Sequence, residues 1–179
     1  ASSQSVTIQA PAALISQVPH LDGLSTAMAA GPVQNFRLGF AAWRDLVCMA
    51  LRKGPFYVPI VGKPGELAAM TAPDAEEGVK RLYPVGYEPD KDVAARIFLQ
   101  VALYSPGRLA KHLTVPWLVQ AASEDLTTPV RPAIRAAMKA KKGQLIIYRC
   151  GHFDVYVPPR FEQTVEDQIT FLKNALVNT

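Results

Sequence analysis

Two residues in this chain are of the types, and stand in the setting, that general acid–base chemistry needs. Asp125 lies in the stretch WLVQAASEDLTTP, and His152 in QLIIYRCGHFDVYV. A histidine exchanges a proton near neutral pH because its pKa lies close to the working range. A carboxylate on its other ring nitrogen fixes the tautomer and stabilises the imidazolium. Such a pair activates a hydroxyl, which is a poor nucleophile until a base takes its proton. His152 is the expected base and Asp125 the expected orienting acid. The neighbouring Glu124 is shifted by one residue and points elsewhere. Asp154, two residues past the histidine, is expected to bond local backbone. His20 is the runner-up histidine, read as a loop residue near the cleft, and Asp22 is expected to cap a turn or helix.

The elements that must position the pair are short apolar runs. Trp117 to Ala122 has the length of a buried strand and is too short for an ordinary helix. It ends at Ser123-Glu124-Asp125, with Pro129 a few residues on. Leu145 to Cys150 is a second run of this kind and ends at Gly151-His152. Val130 to Lys142 between them reads as a helix with Ile134, Ala137 and Met138 on one face and Gly143 as its C-terminal cap. In open α/β sheets, the loops at the carboxyl ends of strands form the active-site crevice. Asp125 and His152 are therefore expected on one edge of one sheet.

This arrangement resembles the last part of an α/β-hydrolase. The family's triad runs nucleophile, acid, histidine along the chain. GHFDVYVPPRFEQTVEDQITFLKNAL is similar to its ending, a histidine loop followed by a closing helix. Ala13 to Gly23, ALISQVPHLDG, is similar to the preceding strand and the entry to a cap insertion. The resemblance implies an α/β fold: about three parallel strands with flanking helices, plus a mainly helical cap. It implies core segments over 1–22 and 113–179 and a cap over 23–112. It implies no metal or organic cofactor, and a small-molecule ester, acyl or peptide substrate. The family's nucleophile sits on a G-x-S-x-G elbow, and no such pentapeptide occurs in the chain. Together with the start at Ala1, this sets the expectation of a fragment or processed product whose serine lies outside the chain. Residues 1–9 are then the tail of the helix after the nucleophile. Two other readings stand beside this one. One is an epoxide hydrolase or dehalogenase relative with an aspartate nucleophile, and the other is a catalytically inactive binding or interaction module.

The cap segment begins with a predicted helix over Asn35 to Lys53, capped by Asn35 and stopped by Gly54-Pro55. Phe36, Phe40, Trp43, Val47 and Leu51 recur on it at helical spacing. Such a stripe is ordinarily packing; Phe36, Phe40, Trp43, Met70 and Phe98 are also the candidates to line an apolar pocket. Residues 55–73, rich in proline and glycine, read as an irregular crossing. Ala75 to Leu82 reads as a short charged helix, and Asp92 as the cap of a helix over Val93 to Leu103. Arg108 to Leu113 leads back to the sheet. The last helix is predicted over Arg160 to Ala175, with Phe161, Val165, Ile169, Leu172 and Leu176 as its buried stripe.

The 179 residues suit one domain with a sizeable core. The formal charge of +4 is scattered, apart from Lys139-Ala-Lys141-Lys142. That group sits where cations offset a helix dipole, so no nucleic-acid partner is expected. No run reaches the roughly 18 apolar residues that span a membrane, so no membrane partner is expected. Cytoplasmic location is the default. Cys48 and Cys150 form no disulfide or zinc pattern and read as buried free thiols. A sheet cut short leaves unpaired edge groups and an apolar face, so the expected protein partner is the chain's own N-terminal half or another copy.

Overall fold

The computed structural model describes residues 11–87 and 91–177; the expected helix tail over residues 1–9 lies outside them. Three parallel strands make the main sheet: β1 (Leu14–Gln17), β4 (Trp117–Ala122) and β5 (Gly143–Tyr148). β4 is central, with Leu14 opposite Trp117 on one side and Trp117 opposite Gly143 on the other. Every residue of β4 is buried, as a strand covered on both faces requires. Trp117, Val119 and Ala121 pack against Ala133, Ala136 and Ala137 of α5 (Val130–Lys139). The opposite face turns Gln120 toward α6 (Arg160–Val177). Pro158-Pro159 leads directly into that helix.

Several boundaries and faces differ from the sequence expectation. β5 starts at Gly143, not Leu145, and Gly143 is not the cap of α5, which ends at Lys139 with Ala140 as its C-cap. Its glycine has another cause: a Cβ there would lie 2.2 Å from the Ala137 carbonyl oxygen. The buried face of α5 is Pro132, Ala133, Ala136 and Ala137, while Met138 is exposed. α6 buries Thr164 and Phe171; Phe161, Ile169 and Leu176 are exposed. The sheet face beneath α6 carries one polar residue, Gln120, and it draws Thr164 and Gln168 inward beside the buried Phe171. Gln120 Nε2 donates to Tyr148 Oη (2.7 Å) and to the Thr164 carbonyl (2.9 Å). Gln168 Nε2 donates to Gln120 Oε1 (2.7 Å), and Tyr148 Oη donates to Asp167 Oδ2 (2.7 Å). Burial first, and the Asp167 carboxylate second, push the Tyr148 hydroxyl well above its ordinary pKa.

Between β1 and β4 the chain runs through an insertion that is helical but holds a small sheet of its own. α1 (Gly23–Ala30) is capped by Asp22, whose Oδ1 accepts from Ser25 N at 3.2 Å. α2 (Pro32–Ala50) begins three residues before the predicted start, because Pro32 supplies a preset first helical position. Asn35 is inside it and donates to the Ala27 carbonyl instead of capping. β2 (Tyr57–Pro59) pairs antiparallel with β3 (Asp92–Ala94), so Asp92 opens a strand, not a helix. A 3-10 turn (Ala95–Ile97) and α4 (Phe98–Val101) replace the predicted longer helix, and a second 3-10 stretch covers Pro106–His112. α3 (Ala75–Leu82) has its predicted bounds.

The insertion core is Leu38, Ala41, Val58 and Ala95, with Phe56 and Phe98 against it. Asp45, wholly buried, accepts from Phe56 N (2.7 Å), Arg96 N (2.8 Å) and Arg96 Nε (2.8 Å). The aromatic stripe of α2 faces the other way. Phe36, Phe40 and Trp43 are 76%, 57% and 58% exposed, so they are neither packing nor an enclosed pocket lining. Among the described residues no helix is long and apolar enough to cross a membrane.

Candidate active site

The loops after β4 and β5 meet at one edge of the sheet. Their backbones are stitched together: Ser123 N donates to the Tyr148 carbonyl (2.9 Å) and Glu124 N to the Cys150 carbonyl (3.1 Å). This brings Asp125 Oδ2 within 2.7 Å of His152 Nδ1. The other carboxylate oxygen is also fixed. Oδ1 accepts from the backbone N–H of Thr127 (2.8 Å) and of Thr128 (2.6 Å), a turn in which the side chain bonds its own downstream backbone. A carboxylate can only accept, so Nδ1 carries a proton, and in the neutral imidazole Nε2 then presents its lone pair. The Asp125 side chain is 2% exposed and that of His152 15%, so the acid is sealed and the histidine is reachable.

The surroundings keep the pair in place. The His152 ring meets the Phe153 ring edge-on, with centroids 4.9 Å apart. Asp154 Oδ2 accepts from Gly151 N at 2.8 Å, the local backbone bond expected of it. That bond first, and Arg81 after it, hold the Asp154 carboxyl below the usual carboxylate range. Burial, and then the nearby negative charge of Asp125, push the Tyr156 hydroxyl up. Glu124 turns away and accepts from Arg149 Nε at 3.2 Å. Val18, just past β1, has φ of +35°, a strained value for a β-branched residue at this same sheet edge.

Other groups considered from sequence are placed elsewhere. His20 Nδ1 lies 3.3 Å from the Thr26 hydroxyl, and its ring stacks on Tyr104, so its partner is not a carboxylate. Burial pushes the Cys150 thiol up, which keeps it protonated and poorly nucleophilic; Cys48 is only half-buried. Among the described residues no Ser, Thr or Cys side chain hydrogen bonds to His152. Among them, too, no three His, Cys, Asp or Glu side chains stand together as a metal site would need. The arrangement can thus hold a proton at Nδ1 and accept one at Nε2. The amides of Thr127 and Thr128 were not foreseen as parts of it, although the T-T pair two residues after an aspartate is the composition of such a turn.

Comparison with known proteins bears on the fold that carries this pair. No family model matches the chain. In structure, 93% of the chain superposes on 56% of the alpha/beta hydrolase GrgF from Penicillium sp. sh18, with a TM-score of 0.70 and 18% identity. The chain has the α/β-hydrolase fold. The chain is similar in the same way to DcsB, solved in complex with its substrate analogue: TM-score 0.70, 15% identity, 92% of this chain and 57% of that one. In sequence the chain is 37% identical over 162 residues to the quorum-quenching protein AidA of Acinetobacter baumannii (strain MDR-ZJ06). That match covers 90% of this chain and 53% of AidA, so the chain spans about half the length of the curated relative it matches.

Proposed function

We propose that the chain supplies the acid and the base of a hydrolase that cleaves an ester or acyl bond. His152 takes the proton from a serine that lies outside this chain, and Asp125 holds the imidazole in the tautomer that leaves Nε2 free. The serine attacks the carbonyl, His152 returns the proton to the leaving group, and water then releases the acyl group by the same route. The observation that carries this reading is the 2.7 Å contact from His152 Nδ1 to an Asp125 carboxylate whose second oxygen is already fixed by two backbone amides. The partner supplying the serine is read as the first half of the same fold. Its docking is supported by the β1 edge, which pairs with no strand on its outer side among the described residues, and by the exposed aromatic face of α2. The substrate class includes quorum-sensing signals with a hydrolysable acyl bond, a suggestion drawn only from the name of the AidA relative.

A fluorophosphonate probe tests the assignment. The isolated 19.5 kDa chain is expected to take no label. The complete protein, or a co-purifying polypeptide that carries the nucleophile, is expected to label, and His152→Ala in this chain should abolish it. A label on this chain itself, or labelling indifferent to His152→Ala, overturns the reading. Labelling that is absent throughout, with hydrolysis intact, moves the nucleophile to an aspartate.

A further inference from the structure

α3 belongs to the insertion, far in sequence from the histidine loop, yet one face of it touches that loop on both sides of His152. Asp74, Gly78 and Arg81 follow at four- and three-residue steps, the spacing of one helix face. Their opposites are Gly151, Phe153 and Asp154. A Cβ on Gly151 would lie 3.5 Å from Asp74 Oδ2, so that carboxylate abuts the residue before the histidine. Asp74 Oδ1 is buried there and has no hydrogen-bond partner among the described residues. Gly78 is pressed on Phe153: a Cβ at that position would lie 2.1 to 2.8 Å from three atoms of the ring. Arg81 donates to Asp154 Oδ1 at 3.0 Å, while the other oxygen of Asp154 holds Gly151 N.

The glycine is the telling choice. In a helix interior glycine is disfavoured by about 1 kcal/mol against alanine. A helix that only covered the surface would have no use for it. Here it lets the α3 backbone approach the aromatic ring that itself meets the His152 imidazole edge-on. We propose that α3 is the positioning element for His152, with Gly78 seating Phe153 and Arg81 latching Asp154, so that the insertion sets the aim of the base. This rests on the reading of His152 as that base. Phe153 and Asp154 are positioning residues and take no part in bond making. Movement of α3 away from the sheet would release the histidine loop, which couples any motion of the insertion to the competence of the site.

The test reads His152 directly in the isolated chain by nitrogen-resolved NMR of its ring. In the native chain the Nδ1 proton is expected to be slow to exchange. Gly78→Ala strengthens the helix but forces a methyl into the Phe153 ring, and it is expected to raise that exchange at least about tenfold. Arg81→Gln is expected to act in the same direction, and Arg81→Lys to restore native behaviour, since a single contact to one oxygen suits an ammonium. The Trp117 indole N–H, bonded to Ser16 Oγ at 3.0 Å inside the sheet, reports that the fold is intact. Native exchange and native titration of His152 in Gly78→Ala and Arg81→Gln, with the indole signal unchanged, would overturn the proposal. A native chain without a protected Nδ1 proton refutes instead the Asp125–His152 pairing on which it stands.

Discussion

Replacing Asp125 by asparagine changes one atom and is expected to disable the proposed base, His152. The geometry leaves the new amide a single good orientation. Its oxygen must sit where Oδ1 now accepts from Thr127 N and Thr128 N. Turning it over would give up both of those bonds, about 1 kcal/mol each, and set two donors against an NH2 group. The amide nitrogen therefore lands at the Oδ2 position, 2.7 Å from His152 Nδ1. Two N–H donors cannot share that distance. The least costly relief moves the ring proton from Nδ1 to Nε2, which breaks no other bond in the site. Nε2 then carries a proton and can no longer take one from a hydroxyl. A wrong-tautomer histidine of this kind lowers turnover by roughly 10⁴-fold. Two assays check it. Ring-nitrogen spectra of His152 in Asp125→Asn should show the proton on Nε2, and ester hydrolysis by the complete protein should fall by that order. An unchanged tautomer, together with a rate within about tenfold of native, would refute the argument.

Three further outcomes are expected. Gln120→Leu removes three hydrogen bonds, two to α6 and one to Tyr148 in the neighbouring strand, and leaves Tyr148 with Asp167 alone; urea unfolding should show a loss of about 2 kcal/mol with an unchanged slope. Asp45, whose folded pKa is drawn from 3.8 down to about 2, first by the Arg96 side chain, contributes stability that is fully present above its unfolded pKa. That contribution is lost as pH falls from about 4 toward 2, so the insertion should loosen in this window in the native chain but not in Asp45→Asn, by circular dichroism titration. The exposed stripe on α2 should drive association of the isolated chain. Phe40→Ser with Trp43→Ser is expected to lower its sedimentation-derived mass at equal concentration, and a native chain that is already a stable monomer would count against this.

What the sequence made legible follows from how local each signal is. Trp117–Ala122 is apolar throughout because β4 is covered on both faces, so its strand character needs no partner to be seen. The meeting of Asp125 and His152 at one sheet edge follows from their places after such strands. The faces of α2 and α6 were read wrongly for one reason: periodicity finds the bulkiest residues, while burial is decided by what lies opposite. On α2 the small residues Ala41 and Ala42 face inward to let the helix close on its neighbours, and Asp45 is buried because Arg96, 51 residues on, meets it. On α6 the single polar residue Gln120 of the sheet calls for Thr164 and Gln168 beside Phe171, and Phe161 and Ile169 are left exposed. β3 is three residues long, too short to hold a period, so its Asp92 looked like a helix cap. The contact of Gly78 with Phe153 lies beyond any local pattern, because it joins an insertion to the core.

The order β1-β4-β5 also bears on when the site comes into being. Asp125 and His152 are 27 residues apart and sit within one β4-α5-β5 unit. β1 must wait for a partner much further along, since Leu14 pairs with Trp117, a separation of 117 − 14 = 103 residues. Closing the longer loop costs more chain entropy and slows its contacts. β4, α5 and β5 are thus the natural first unit to fold, and the acid meets its histidine there before β1 arrives. The pair is then an early landmark of folding, and amide protection in a refolding pulse would mark β4 and β5 before β1.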